Sequence, residues 1–206
     1  NCCNPFLKLN RYVMQVTALN DQQLIACYLD GNERAFEELL NRHQQKIYTS
    51  IYLFVKEQSL AEDIFQEVFI KIIDTLRKGK YNHEGKFLQW AMRIAYNMCV
   101  DHFRRNKRRP QLSPTETFDI FDVLKSNDLN AEQDIIRSQT HQKVRHLVDQ
   151  LPPEQREVVI LRHYADMSFK EIAQLTRVSI NTALGRMRYA LINIRKMVEE
   201  KDIVLQ

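Results

Sequence analysis

Two helix starts, at Ser168 and Ser179, lie so close together that the chain between them can form only a short helix and a tight turn before a second helix begins. In Ser168-Phe-Lys-Glu171 the serine and glutamate stand at capping-box spacing, hydroxyl to the Glu171 amide and carboxylate back to the Ser168 amide. Ile172, Ala173 and Leu175 form the apolar side of the first helix, Ala173 being small enough to let another helix cross closely, and Val178 fills the turn. Ser179 caps the second helix. There Ala183, Met187 and Ala190 recur at helical spacing and face inward, which leaves Asn181, Thr182, Arg186 and Arg188 outward. This is the pattern of a helix-turn-helix, whose second helix fits a DNA major groove about 12 Å wide. A helical hairpin with a merely solvated polar side satisfies the same pattern, so the rest of the chain must decide.

Upstream, Leu151-Pro-Pro-Glu-Gln-Arg-Glu157 begins with prolines tolerated in a first helical turn and acids near the positive end of the dipole. An apolar stripe through Val158, Leu161 and Tyr164 makes it a supporting helix. Downstream, Leu191, Ile194, Arg195 and Val198 continue an amphipathic pattern. Residues 136–200 are therefore expected to form one helical domain, with 201–206 as a tail.

With 4 glycines and 5 prolines in 206 residues, helices with few tight turns are the expected content. No apolar run approaches the roughly 18 residues of a bilayer-crossing helix, and the first residues lack a secretory pattern, so no membrane insertion and a cytoplasmic location are expected. Cys2, Cys3, Cys27 and Cys99 show no metal-ligand spacing and the histidines are scattered. No metal, cofactor or catalytic residue is expected. Residues 1–20 have weak periodicity and are read as a flexible extension.

The net charge of +4 is modest, but it is unevenly placed. Arg104, Arg105, Lys107, Arg108 and Arg109 crowd the end of a predicted helix, where they complement its dipole and can hold phosphates. Directly after them, residues 110–135 carry Glu116, Asp119, Asp122, Asp128, Glu132 and Asp134 against Lys125 alone. This is read as an acidic flexible linker between two small helical domains, and its charge would repel DNA. The fold class expected is all-α.

The N-terminal domain, 21–109, reads as helices throughout. Asp30-Gly-Asn-Glu33 resembles a capped start, followed by Ala35, Phe36, Leu39, Leu40, Ile47 and Ile51 on one side. Ser59-Leu-Ala-Glu62 resembles a second capping box, opening a helix that buries Ala61, Ile64, Phe65, Val68, Ile72 and Leu76. Glu62, Asp63, Gln66 and Glu67 are left exposed. Asp63 and Glu67 share a face, but no histidine or further carboxylate is placed to complete a metal site for phosphodiester cleavage, so a protein-binding or solvated face is favoured over a nuclease. A last helix turns Phe87, Trp90, Ile94, Ala95 and Val100 inward and leaves Arg93 and Asn97 available. Gly79 to Phe87 fails as a phosphate loop, because its glycines are one residue too far apart and Phe87 stands where a magnesium-binding hydroxyl belongs.

The order of these features carries more than any one of them. Ala61-Glu-Asp-Ile-Phe-Gln-Glu-Val-Phe69, then Phe87-Leu-Gln-Trp-Ala-Met-Arg-Ile-Ala-Tyr-Asn97 with Asp101 and Arg104-Arg105, then Leu151-Pro-Pro-Glu-Gln-Arg-Glu157 and Glu171-Ile-Ala173, resemble the extracytoplasmic-function (ECF) family of bacterial RNA polymerase sigma factors. The resemblance covers residues 21–200. It implies that 21–109 is sigma region 2 and 136–200 is sigma region 4. It further implies that Asp63, Gln66 and Glu67 contact the β′ clamp of core RNA polymerase, with the β flap as a second contact region. It assigns the −10 promoter element to Tyr81, Lys86, Arg93, Asn97, Arg104, Arg105, Lys107, Arg108 and Arg109, the loop from Tyr81 to Lys86 forming a pocket for an extruded base. The −35 element falls to Ser179, Asn181, Thr182, Arg186 and Arg188. An anti-sigma factor is admitted as a further partner, and the linker is expected to thread the polymerase near the RNA path. Relatives commonly carry a basic residue and then Ser after Gly-Thr-Val, whereas Asn181-Thr-Ala-Leu-Gly185 stands here. Leu184 cannot hydrogen-bond a base edge, and Gly185 costs up to about 1 kcal/mol of helix stability. The competing reading is a helix-turn-helix repressor or activator that acts without core polymerase.

Overall fold

The computed structural model describes residues 17–82, 85–107 and 144–200, and in all three stretches the regular structure is helical. The helices are α1 (Asp21–Leu29), α2 (Glu33–Val55), α3 (Gln58–Arg77), α4 (Phe87–Lys107), α5 (Pro153–His163), α6 (Phe169–Thr176) and α7 (Ile180–Glu200), with a further helical stretch over 144–149. The all-α expectation holds. The chain divides into two units, Asn1–Val55 with Ser59–Arg109, and Pro110–Gln206 with Lys56–Gln58. The whole of the expected linker, 110–135, lies outside the described residues, as do residues 136–143 and the 201–206 tail.

In the first unit, α1 starts on a capping box that the sequence reading placed inside the extension. The Gln23 amide donates to Asn20 Oδ1 at 2.9 Å and the Asn20 amide donates to Gln23 Oε1 at 2.9 Å. Residues 17–20 are moreover held down, because the Arg42 guanidinium donates to the carbonyls of Leu19 at 2.6 Å and Thr17 at 2.7 Å. Residues 1–16 of the expected extension lie outside the described residues. Asp21 of α1 lies 3.5 Å from Arg42 of α2 and accepts from His43 at 2.8 Å, so α1 is fastened to α2 by polar contacts as well as by Leu24, Ile25 and Tyr28. Gly31, at φ +97°, supplies the left-handed residue that lets the chain reverse between them.

The core of this unit gathers Leu39, Ile47, Ile51 and Leu53 of α2 with Ala61, Val68 and Ile72 of α3, all fully buried. Tyr48 of α2 meets the Phe65 ring of α3 edge-on at 5.5 Å, and Arg77 at the end of α3 donates to the Tyr28 hydroxyl at 3.1 Å. Two sequence expectations shift here. α3 begins at Gln58, so Ser59 lies inside its first turn and is not the cap. On α4 the buried stripe is Phe87, Leu88, Ala91, Met92, Ala95, Tyr96 and Cys99, while Trp90, Ile94 and Val100 lie at its margins, half-buried. A helix this rich in apolar residues offers two overlapping stripes about one residue apart, and packing against α2 selects between them.

In the second unit, α5 is buried over four consecutive residues, Val158 to Leu161, so it is covered on more than one side. Val148, Leu151, Val159 and Ala190 form a cluster against which Val144, Met187, Ile194 and Met197 pack. Asn193 of α7 donates to Gln155 of α5 at 2.8 Å. That contact fixes the long helix against its support.

Candidate nucleic-acid interface

The turn unit forms as its sequence dictates. The Ser168 amide donates to Glu171 Oε2 at 2.8 Å and the Glu171 amide to Ser168 Oγ at 3.3 Å, a reciprocal cap that starts α6. Just before it, Arg162 donates to the Met167 carbonyl at 2.8 Å, and its guanidinium lies over the Phe169 ring at 5.4 Å from the centroid. The turn into α7 depends on Arg177, which adopts the left-handed conformation at φ +58°. Glycine or asparagine is the usual residue there, so the sequence carries no signal for it. The Thr182 amide then donates to Ser179 Oγ at 3.0 Å, and the two hydroxyls lie 2.9 Å apart, which makes Ser179 the cap of α7.

α7 buries Ala183 and Ala190 and half-buries Met187, as its spacing requires. Ser179, Asn181, Thr182 and Arg188 are exposed. Arg186 differs from them, being half-buried, with Nη1 3.5 Å from Glu157 Oε2 of α5. Leu184 is 44% exposed and Ile180 46% exposed, so the outward side of the first turns is partly apolar.

Two further surfaces belong to the first unit. Along α3, Glu62, Asp63, Gln66 and Glu67 are exposed on the side away from its buried stripe, and Ile70 joins them at 63% exposure. Ile70 escaped the sequence reading, although its absence from the series 61, 64, 68, 72 and 76 was a usable signal. Among the described residues no group of His, Cys, Asp or Glu is arranged to hold a metal ion. The second surface is α4, where Arg93, Asn97, Arg104 and Arg105 are exposed, Arg104 lying 3.5 Å from Asp101. The side chain of Lys107, together with Arg108 and Arg109, lies outside the described residues.

Near the start of α4, Lys86 is exposed but Tyr81 is half-buried, its ring 4.4 Å from that of Trp90 and 6.3 Å from that of Phe87. Burial, with a smaller push from the Asp21 carboxylate, drives the Tyr81 phenol up to about 12, so it stays neutral. A shallow cleft of about 180 Å³ lies beside it, lined by Ile25, Ala26, Leu29, Leu76 and Tyr81. It opens against α1, which the sequence reading of the Tyr81 to Lys86 loop did not include.

A helix-turn-helix unit, and a second helical unit with an acidic ridge and a basic helix, place the chain in the helix-turn-helix class of proteins. Comparison with known proteins gives that class its family. The Sigma-70 region 2 family matches residues 39–109 and the Sigma-70 region 4 family matches residues 141–188. The RNA polymerase sigma-H factor of Pseudomonas aeruginosa is 30% identical over 177 residues, spanning 84% of this chain and 90% of that protein. The ECF RNA polymerase sigma-E factor of Haemophilus influenzae is 26% identical over 188 residues, spanning 89% and 95%. In fold the chain resembles CnrH, solved in complex with the cytosolic domain of CnrY (TM-score 0.56, 22% identity, 87% of this chain and 97% of that one). It also resembles the sigma factor RpoE of Bartonella quintana, solved with the anti-sigma factor NepR (TM-score 0.60, 17% identity, 80% and 96%). The chain belongs to the ECF family of RNA polymerase sigma factors, which bind core RNA polymerase and direct promoter-specific initiation and are not themselves enzymes. Among the described residues no helix is long and apolar enough to cross a membrane.

Proposed function

We propose that residues 21–109 act as sigma region 2 and 136–200 as region 4, joined by the acidic linker, and that the chain works in the cytoplasm with no catalytic group of its own. Asp63, Gln66 and Glu67 grip the β′ clamp of core polymerase, and region 4 meets the β flap. Lys86, Arg93, Asn97, Arg104 and Arg105 hold the −10 strand, continued by Lys107, Arg108 and Arg109. Tyr81 contributes through Trp90, since the two rings are in contact. Binding energy on an unpaired strand offsets unstacking, so melting is driven by association. Ser179, Asn181, Thr182 and Arg188 face the −35 element, and Arg186 contacts its backbone. The acidic linker follows the RNA path of the enzyme. An anti-sigma factor is the partner that would hold the protein idle, as NepR accompanies RpoE.

The observation that carries this reading is the α3 ridge, whose carboxylates and Gln66 stand exposed opposite a continuous buried stripe. The test is promoter-specific transcription by the chain with bacterial core RNA polymerase, on templates selected from a randomised library. Initiation from discrete start sites supports it. Tight binding of a dimer to a palindromic site, with no initiation, replaces it with a repressor or activator.

A further inference from the structure

We infer that Leu184, flanked by Ile180 one turn earlier, reads thymine methyl groups, so that the −35 sequence recognised by this chain is specified by methyl-bearing A·T pairs. The inference rests on the assignment of 136–200 as the −35 reader. In a helix-turn-helix the first turns of the second helix meet the base edges. At that place on α7 two large apolar side chains stand out from the surface, Ile180 at 46% and Leu184 at 44% exposure, four residues apart and hence on one row. Neither belongs to the inward side, which is taken by Ala183, Met187 and Ala190.

The polar neighbours narrow the choice. Thr182 is engaged in the cap with Ser179 at 2.9 Å, and Arg186 is drawn to Glu157 at 3.5 Å, away from guanine recognition. Asn181 is exposed in the first turn, and an asparagine amide matches the donor and acceptor of adenine in the major groove. Where a Cβ would stand on Gly185, nothing lies within 4 Å, so the strip beside Leu184 is bare and admits a close groove wall. The only apolar handle in the major groove is the thymine C5 methyl. An exposed leucine between Asn181 and Arg188 has no other base-edge feature to use.

The test uses the full chain assembled with core RNA polymerase and a promoter library randomised over the −35 region. In the best-bound duplex each thymidine is then replaced singly by deoxyuridine, which deletes one methyl and leaves pairing intact. One or two positions should weaken binding by about fourfold, equivalent to about 0.8 kcal/mol at 1.4 kcal/mol per decade. Leu184→Ala, a surface change that leaves the core intact, should lose the same factor on the thymidine duplex and become indifferent to the replacement. Enrichment without methyl dependence, or a methyl effect undiminished in Leu184→Ala, overturns the inference while leaving promoter reading in place. Absence of any enriched −35 sequence overturns both.

Discussion

Arg186 on α7 and Glu157 on α5 approach to 3.5 Å with side chains 25% and 22% exposed, so a cation on the second helix of the helix-turn-helix is joined to the helix that supports it. Such a pair is worth at most about 1 kcal/mol of stability, and its consequence is orientation. A guanidinium engaged by a carboxylate is less available for a bidentate contact to guanine, and we propose that it meets backbone phosphate instead. Arg186→Ala is therefore expected to weaken binding similarly on all −35 variants and to reduce the salt slope by about one. Titrations at several salt concentrations check this, and a loss confined to one base position would assign Arg186 to base reading instead.

The reciprocal cap at the start of α6 gives a stability prediction. Ser168→Ala removes the acceptor for the Glu171 amide and should cost about 1 kcal/mol. Because the chain has two units, urea unfolding followed by circular dichroism should lower the transition of the second unit and leave that of the first in place.

How much of this was legible in the chain depended on local chemistry. The two caps on serine, Ser168 with Glu171 and Ser179 with Thr182, announced the helix-turn-helix because each is a bond between neighbours in sequence. The buried faces of α2 and α3 were legible for the same reason, as periodicity, except that Phe65, expected inside, is half-buried. The cap of α1 was missed because Asn20 and Gln23 are a less familiar pair, and nothing local marks Thr17 and Leu19 as targets of Arg42, more than twenty residues away. The α4 stripe was legible at Phe87 and Ala95 but not at Trp90, Ile94 and Val100, because packing against α2, a long-range choice, selects between overlapping stripes. The capture of Arg186 by Glu157 was likewise invisible, since it joins helices that the sequence alone does not orient.

Asp21 supplies a pH dependence. Its carboxyl lies below the usual carboxylate range of 3.8, chiefly because His43 hydrogen-bonds it, assisted by the charges of His43 and Arg42 and opposed by burial. A group depressed on folding adds stability that is fully present above its unfolded pKa and is lost as pH falls through the lower, folded value. The urea midpoint of the first unit should therefore fall as pH drops below about 4. In Asp21→Asn this part of the slope should be missing, with a stability loss of about 1 kcal/mol at neutral pH. An unchanged acid slope would show that the pair contributes nothing to folding.

The chain has a single tryptophan, and Trp90 touches Tyr81 at the edge of the proposed −10 surface. Its fluorescence in the assembled holoenzyme, read against the holoenzyme of a Trp90→Phe chain, should change when a single-stranded −10 oligonucleotide is added. Lys86→Ala with Arg93→Ala should weaken that binding and lower the salt slope by about 1.4, at about 0.7 per cation on a single strand. An unaltered slope would remove both residues from the strand path.

The central claim is that the exposed ridge of α3 attaches this chain to the polymerase, and affinity for core enzyme measures it directly. Asp63→Lys with Glu67→Lys places two cations where two carboxylates stood, and like charges across an interface are costly. Neither side chain is buried, so thermal unfolding should stay near that of the unaltered chain. The Kd for core RNA polymerase should rise at least about tenfold, and Ile70→Ala should raise it by a smaller factor as an exposed apolar contact is lost. Unchanged affinity in the double charge reversal, with folding intact, would contradict the placement of the polymerase contact on this helix.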